Sequence, residues 1–311
     1  MSSNASITRV GPRTFGQDAS AANSQNLGAT NAVPARRFRY LDLRFDAHDG
    51  VLWKFLAEGA AAHYSHETLN DLRGVQNALM EGIPLEVEGF LPGAIRFLVF
   101  GSRIPGVFSL GGDLALFREL IKRGDRYGLA AYAKKAIDAV YYHATGSGQP
   151  LTTISLVQGV ALGGGFEAAL AGHVIIAERG VRFGLPEVVF GLFPGMGAYT
   201  LLCRRVNPKV AERIILSGDT YSAEELHELG IVDELAAPGE GEQVVLDFIS
   251  RQRMNPGQHA FRKALNRVRT IDHAELYGIA DEWIEAALNL SPSFLRRIDR
   301  LLRSQDRYHR T

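Results

Sequence analysis

Two glutamates stand where a solvated carboxylate would be out of place. Glu167 follows Gly163-Gly164-Gly165-Phe166 and precedes Ala168-Ala169-Leu170-Ala171. Glu187 follows Gly184-Leu185-Pro186 and precedes Val188-Val189-Phe190. An acid set among apolar residues either finds a partner or takes a raised pKa. Two such acids in one cavity make a proton-transfer pair. Two glycine-rich turns accompany them, Phe108-Ser109-Leu110-Gly111-Gly112-Asp113 and Leu162-Gly163-Gly164-Gly165-Phe166-Glu167, each linking an apolar strand to a helix. Glycine lets the backbone approach a ligand closely and adopt positive φ. Amides at a helix N-terminus favour an anion. Two such turns facing each other would supply one donor each to a carbonyl oxygen that becomes negative. Taken singly, each feature has a plain reading: a tight turn, a Glu167 favoured by its helix dipole, a Glu187 paired with Arg182. The combination points to catalysis.

These residues need elements to position them. Leu41, Leu43 and Phe45 alternate with Asp42, Arg44 and Asp46, the period of a half-buried strand, and Asp49-Gly50 marks a hairpin to a second strand. Ser65 is placed to cap a helix with apolar Leu69, Leu72, Val75 and Leu79. Ile95 to Phe100 reads as a buried strand, and Asp113 to Lys122 and Tyr132 to His143 as helices. Strands Ile154 to Val157 and Val174 to Ile176 flank the Gly163–Leu170 element. This alternation predicts an α/β fold with largely parallel strands, either a coiled stack of ββα turns or an open doubly wound sheet. Beyond Gly239 strand signals stop. The rest reads as helical, punctuated by Pro256 and Pro292. Its last helix, Ser293–Gln305, carries Phe294, Leu295, Ile298, Leu301 and Leu302 on one face and Arg296, Arg297, Arg300 and Arg303 on the others. Three regions result: a disordered tail over 1–36, a core over 37–239 and a helical region over 240–311.

Composition narrows the function classes. The 311 residues carry 46% hydrophobic and 22% charged residues and no net charge, which gives no support for a nucleic-acid surface. One cysteine, Cys203 in an apolar run, excludes an internal disulfide framework and reads as a core residue. No apolar run is long enough to span a bilayer. The first 36 residues are rich in Ser, Ala, Asn and Gly, and no apolar core follows Arg9 and Arg13, so they do not read as a secretory signal. The glycine run does not continue into a dinucleotide fingerprint, and neither a P-loop nor a nucleophile elbow is present. His63 and His66 lack a metal-binding pattern and read as surface histidines, so neither a metal nor a cofactor is expected.

The residues quoted above resemble the crotonase (enoyl-CoA hydratase/isomerase) superfamily. The likeness runs from about Arg96 to Leu235 through FSLGGDL, VQGVALGGGFE, FGLPEVVFGLFPGMG and YSAEELHELGIVDEL. It implies a spiral core of repeated ββα turns, a helical C-terminal trimerisation region and a homo-oligomer, either a trimer or a dimer of trimers. It also implies thioester substrates whose carbonyl sits in a two-amide oxyanion hole. The resemblance places the oxyanion amides on Leu110 and Gly164 and the acid/base pair of the hydratases on Glu167 and Glu187. Gly111, Gly163, Phe166, Phe190, Met196 and Trp283 are the expected substrate-binding residues, with Val188, Leu192, Leu288 and Leu290 as further candidates for an acyl tunnel. Within the superfamily, the Leu110-Gly111-Gly112-Asp113 turn, ALGGGFEAAL, the Phe193 to Tyr199 run and the Trp283 to Arg307 tail look most like the diffusible-signal-factor synthases of the RpfF type, while His63-Tyr64-Ser65-His66-Glu67 departs from the Pro-containing, Asn-rich helix start usual in ordinary hydratases. That branch implies dehydration of a 3-hydroxyacyl thioester on acyl carrier protein to a cis-2-enoyl thioester. Hydrolysis then yields a free fatty-acid signal for quorum sensing, in the cytoplasm. Two alternatives remain: an ordinary hydratase acting on coenzyme A thioesters, and a non-catalytic binding partner of a sensor kinase.

Overall fold

The computed structural model describes residues 35–91, 93–146 and 149–308. The tail expected over 1–36 falls outside them except for its last two residues, of which Arg36 forms a parallel bridge with Leu85. The chain then builds a hairpin of β1 (Leu41–Asp46) and β2 (Val51–Leu56), paired antiparallel from Leu41 opposite Leu56 to Asp46 opposite Val51. Helix α1 (His66–Glu81) follows, and the Ser65 hydroxyl accepts from the Thr68 amide at 3.2 Å as its N-cap.

From here the chain coils. Each turn lays one strand into a six-stranded sheet, the next into a four-stranded sheet, and then adds helix. The first turn is β3 (Phe97–Ser102), β4 (Val107–Ser109), α2 (Leu114–Arg123) and α3 (Arg126–Thr145). The second is β5 (Thr152–Val157), β6 (Val160–Leu162) and α4 (Gly164–Leu170). The third is β7 (Val174–Glu178), β8 (Arg182–Gly184), a 3₁₀ helix Pro186–Phe190, α5 (Ala198–Cys203) and α6 (Pro208–Ser217). Strand β9 (Thr220–Ser222), α7 (Ala223–Glu228) and β10 (Glu234–Ala236) complete the sheets. Their orders are β1-β2-β3-β5-β7-β10 and β4-β6-β8-β9. All pairings are parallel except β1–β2 and β8–β9. Two sheets fed alternately by one chain make a spiral, not the doubly wound alternative. Strand β3 runs to Ser102 where the apolar pattern suggested an end at Phe100. Gly101 and Ser102 carry little strand propensity, yet both pair with β2.

The six-stranded sheet is covered on both faces. Val51, Trp53 and Phe55 of β2 pack with Phe248 and Ile249 of α8 (Gly241–Met254). Leu52 and Leu56 face the main core with α1, α3 and α4. The region after Gly239 is helical as expected: α8, α9 (Pro256–Val268), α10 (His273–Leu288) and α11 (Pro292–Tyr308). Pro256 and Pro292 open helices at their first turn, where a missing N–H costs nothing. The apolar stripe of α11 packs onto its own chain, with Ile298 buried. Arg297, expected on a solvated face, donates to the Val189 carbonyl at 2.8 Å. The Arg303 side chain lies outside the described residues. Among the described residues no helix is long and apolar enough to cross a membrane.

Candidate active site

The two glycine turns lie against each other. Gly111 has φ +92, and a Cβ there would stand 2.8 Å from the Leu162 carbonyl oxygen and 2.9 Å from the Gly164 nitrogen. Gly163 has φ +53, and a Cβ there would meet Glu187 Oε1 at 2.6 Å. Only glycine fits either position. The stacked strands β4 and β6 set this approach, since each turn leaves the four-stranded sheet one spiral step from the other. Beside the turns opens a cavity of about 160 Å³, walled mainly by apolar side chains from α1, α3, α10 and α11.

Both glutamates line this cavity. Glu167, in the first turn of α4, is 2% exposed. Its Oε1 accepts from the Met196 amide at 2.8 Å and the Ala198 amide at 3.1 Å. Burial raises its pKa to about 7, and the two amides hold it from going higher. Glu187 sits in the 3₁₀ helix. The residue is half-buried, but its Oε2 is sealed from bulk water and has no partner among the described residues. Burial, then the charge of Glu167, raises its pKa to about 8. Arg182, the partner that a structural role would need, instead bonds Thr220 and faces Glu225 at 3.8 Å. An orphaned, buried carboxyl oxygen costs folding free energy and is a marker of function.

The turn amides differ in what they already bond. Leu110, the expected oxyanion donor, lines the cavity, but its amide already donates to the Ala62 carbonyl at 2.7 Å. Gly112 differs. It lines the cavity, its nitrogen is 3.5 Å from where a Gly164 Cβ would be, and among the described residues its amide has no acceptor. Gly164 also lines the cavity and is the first residue of α4, so its amide has no partner within the helix. The turn's cap adds to this arrangement: Asp113 accepts from the Leu116 amide, and Tyr132 Oη accepts from the Asp113 amide at 3.2 Å and donates to the Tyr64 carbonyl.

Of the expected substrate-binding residues, Gly163, Phe190, Met196 and Trp283 line the cavity, as does Leu192. Trp283 is 3% exposed and meets the Phe117 ring edge-on at 5.1 Å. Phe166 does not line it. It points the other way, fully buried against Phe183 with ring centres 5.1 Å apart, because it flanks Glu167 on a helix and must take another face. Gly111 braces the turn from behind, Val188 packs toward Gly218, and Leu288 and Leu290 pack elsewhere in the core. His63 and His66 are half-buried, not on the open surface: His63 faces Asp113 at 3.7 Å, and His66 lies edge-on to Tyr132. Cys203 is half-buried against the core. Sequence reasoning missed Gly112, Tyr64, Tyr132, Leu301, Lys54 and His143, all on the cavity wall. A lysine inside the apolar run Val51-Leu52-Trp53-Lys54-Phe55-Leu56 was a legible signal; nothing in the sequence singled out His143. Among the described residues, the grouping with metal-ligand character is Asp46, His48 and Asp49. It belongs to the β1–β2 hairpin, where Asp46 caps turn amides and Asp49 pairs with Arg253.

The family model for enoyl-CoA hydratase/isomerase matches residues 93–274, more than half of the chain. The chain belongs to this family. It is 36% identical over 171 residues to a peroxisomal fatty acid beta-oxidation multifunctional protein of Arabidopsis thaliana, covering 53% of this chain and 22% of that protein. It is 30% identical over 224 residues to the fatty acid oxidation complex subunit alpha of Pseudomonas savastanoi pv. phaseolicola (strain 1448A / Race 6), covering 72% of this chain and 28% of the relative. The chain thus spans between a fifth and a third of the length of these relatives. The human mitochondrial delta3-delta2-enoyl-CoA isomerase has the same fold: TM-score 0.69 at 18% identity, covering 86% of this chain and 99% of the other.

Proposed function

We propose that this chain is a hydro-lyase that interconverts 2-enoyl and 3-hydroxyacyl thioesters. The observation that carries the proposal is the Oε2 of Glu187, held beside Glu167 in an apolar cavity next to two turn amides, all three without a partner among the described residues. In the addition direction the Glu167 carboxylate removes a proton from a water that attacks C3. Charge passes to the thioester oxygen, where the Gly112 and Gly164 amides receive it. Protonated Glu187 then delivers its proton to C2. Elimination runs the same steps backwards. The family match and the fatty-acid oxidation names of the relatives support an acyl thioester as substrate, and the apolar cavity suits its chain.

A further reading is favoured by the Leu110 to Asp113 turn and the Phe193 to Tyr199 run, which look like the signal-synthase branch. There the chain would also cleave the thioester and release a cis-2-unsaturated acid. Water attack at the carbonyl puts negative charge on the same oxygen, so the same two amides serve. One experiment separates the readings. Purified protein is incubated with medium-chain 3-hydroxyacyl thioesters of acyl carrier protein and of coenzyme A, and free acids are resolved from thioesters. Free unsaturated acid supports the synthase. Interconversion without free acid leaves the ordinary hydratase. No interconversion on either carrier overturns the hydro-lyase reading.

A further inference from the structure

The wall of the cavity holds two polar side chains that the chemistry above does not use. Lys54 projects from the middle of β2, on the face that carries Leu52 and Leu56. It is 3% exposed and lines the cavity. Among the described residues its ammonium has no carboxylate and no hydrogen-bond acceptor, and its recorded neighbour is the face of Phe100, 4.8 Å from the ring centre. His143, near the end of α3, lines the same cavity and is also 3% exposed. Its Nε2 is 3.3 Å from the Ser155 hydroxyl, and its Nδ1 is buried without a partner. Burial and the Lys54 charge keep this imidazole neutral. The Ser155 hydroxyl donates to the Ala168 carbonyl at 3.5 Å, so it accepts from Nε2–H, and Nδ1 carries a lone pair rather than a proton.

We propose that Lys54 forms a subsite for a carboxylate at the far end of the acyl chain, so that the preferred substrates are thioesters of α,ω-dicarboxylic acids. This inference rests on the hydro-lyase reading of the same cavity. A buried ammonium without a counter-ion costs stability, and an apolar residue of equal length in its place would remove that cost. A cavity meant only for a hydrocarbon tail has no use for it. A substrate carboxylate neutralises the ammonium with a charge-assisted hydrogen bond. The route between the two ends runs along α3, whose Tyr132, Ala136, Val140 and His143 all line the cavity. Tyr132 touches the Asp113 end of the glycine turn. At about 1.5 Å rise per residue, Tyr132 to His143 covers roughly 16 Å, the span of a medium-length chain rather than a short one.

The test uses the full chain and matched series of 2-enoyl-CoA substrates ending in methyl, hydroxyl or carboxylate, over a range of lengths. We expect kcat/KM for the carboxylate series to exceed the methyl series by about tenfold or more at the length that reaches Lys54. Lys54→Met should reverse the order, lowering turnover of the carboxylate series and raising that of the methyl series. Saturated acyl-CoA analogues give a readout independent of turnover: the carboxyl-ended analogue should raise the melting temperature more than its methyl-ended counterpart. Equal or better turnover and binding of the methyl series by the wild type would overturn the subsite and leave the hydro-lyase intact. A binding preference for the carboxyl-ended analogue without turnover of any enoyl thioester would sustain the subsite and sink the hydro-lyase. Should Lys54→Met fail to fold, the wild-type comparison alone decides.

Discussion

Replacing Glu187 with glutamine tests the site's chemistry and its cost to the fold together. The substitution keeps shape and removes one titration. Folded, the Glu187 carboxyl holds its proton up to about pH 8, against an ordinary value of 4.5. Below that ordinary value both the folded and unfolded states bind the proton. Between about pH 4.5 and about pH 8 the unfolded chain releases it while the folded chain retains it. The unfolded state therefore binds fewer protons, and stability falls as pH rises through this window. The loss at the upper end is on the order of a few kcal/mol. Glutamine has no such loss. Thermal unfolding of Glu187→Gln and wild type should agree near pH 5 and separate toward pH 8, the variant melting higher by on the order of 5 °C, at roughly 2 °C per kcal/mol for a chain of this size. Hydration of a 2-enoyl thioester, followed by loss of the conjugated absorbance, should fall by roughly 10²–10⁴-fold. Turnover within a few-fold of wild type would refute the proton-transfer role. A melting difference that does not widen with pH would refute the buried-carboxyl account.

Further outcomes follow from other parts of the site. Gly164→Pro removes one turn amide at the first position of α4, where proline is tolerated, so the protein should fold while kcat drops by about 10²–10³-fold; circular dichroism with steady-state kinetics checks both. Trp283→Ala hollows the cavity wall and should cost about 3–5 kcal/mol in denaturant unfolding, with a raised KM for long-chain thioesters. The glutamates, at about 7 and about 8, titrate as one pair that works with a single proton, so kcat/KM should describe a narrow bell centred between those values; a flat profile across neutrality would contradict it. Removing residues 1–33, which lack a core-forming pattern, should leave melting temperature and turnover nearly unchanged.

Much of the fold was legible because its signals are local. The alternation in β1, the Asp49-Gly50 turn and the Ser65 cap each depend on a few neighbouring residues, and each stands where the pattern put it. Glu167 and Glu187 were legible for a related reason: a carboxylate in an apolar run is conspicuous wherever the run folds. The choice between spiral and doubly wound sheet was not local, since it depends on which strands share a sheet. Which turn amide stays available is not local either. Leu110 and Gly112 are two residues apart, and only the path of the Ala62 segment, which takes up the Leu110 amide, decides which N–H remains available. Phe166 misled because a chain neighbour of Glu167 is turned about 100° from it around the helix. Lys54 and His143 are far from the motifs in sequence and reach the cavity only because β2 and α3 pack on either side of it.

The Phe193 to Tyr199 run acquires a physical role from the geometry. It turns the Met196 and Ala198 amides onto Oε1 of Glu167, while Oε2 of Glu187 receives no donor. That asymmetry decides where the shared proton rests. Donors to a carboxylate favour its charged form, so Glu167 is the member that ionises first, and its charge in turn holds the proton on Glu187. Near neutrality the resting pair is thus a carboxylate on α4 and a protonated carboxyl on the 3₁₀ helix, the distribution that the proposed addition of water requires. Elimination starts from the opposite distribution, reached by moving one proton between the two residues without changing the total. On the proposed hydro-lyase reading both directions draw on the same singly protonated pair, as a reversible reaction at one site must.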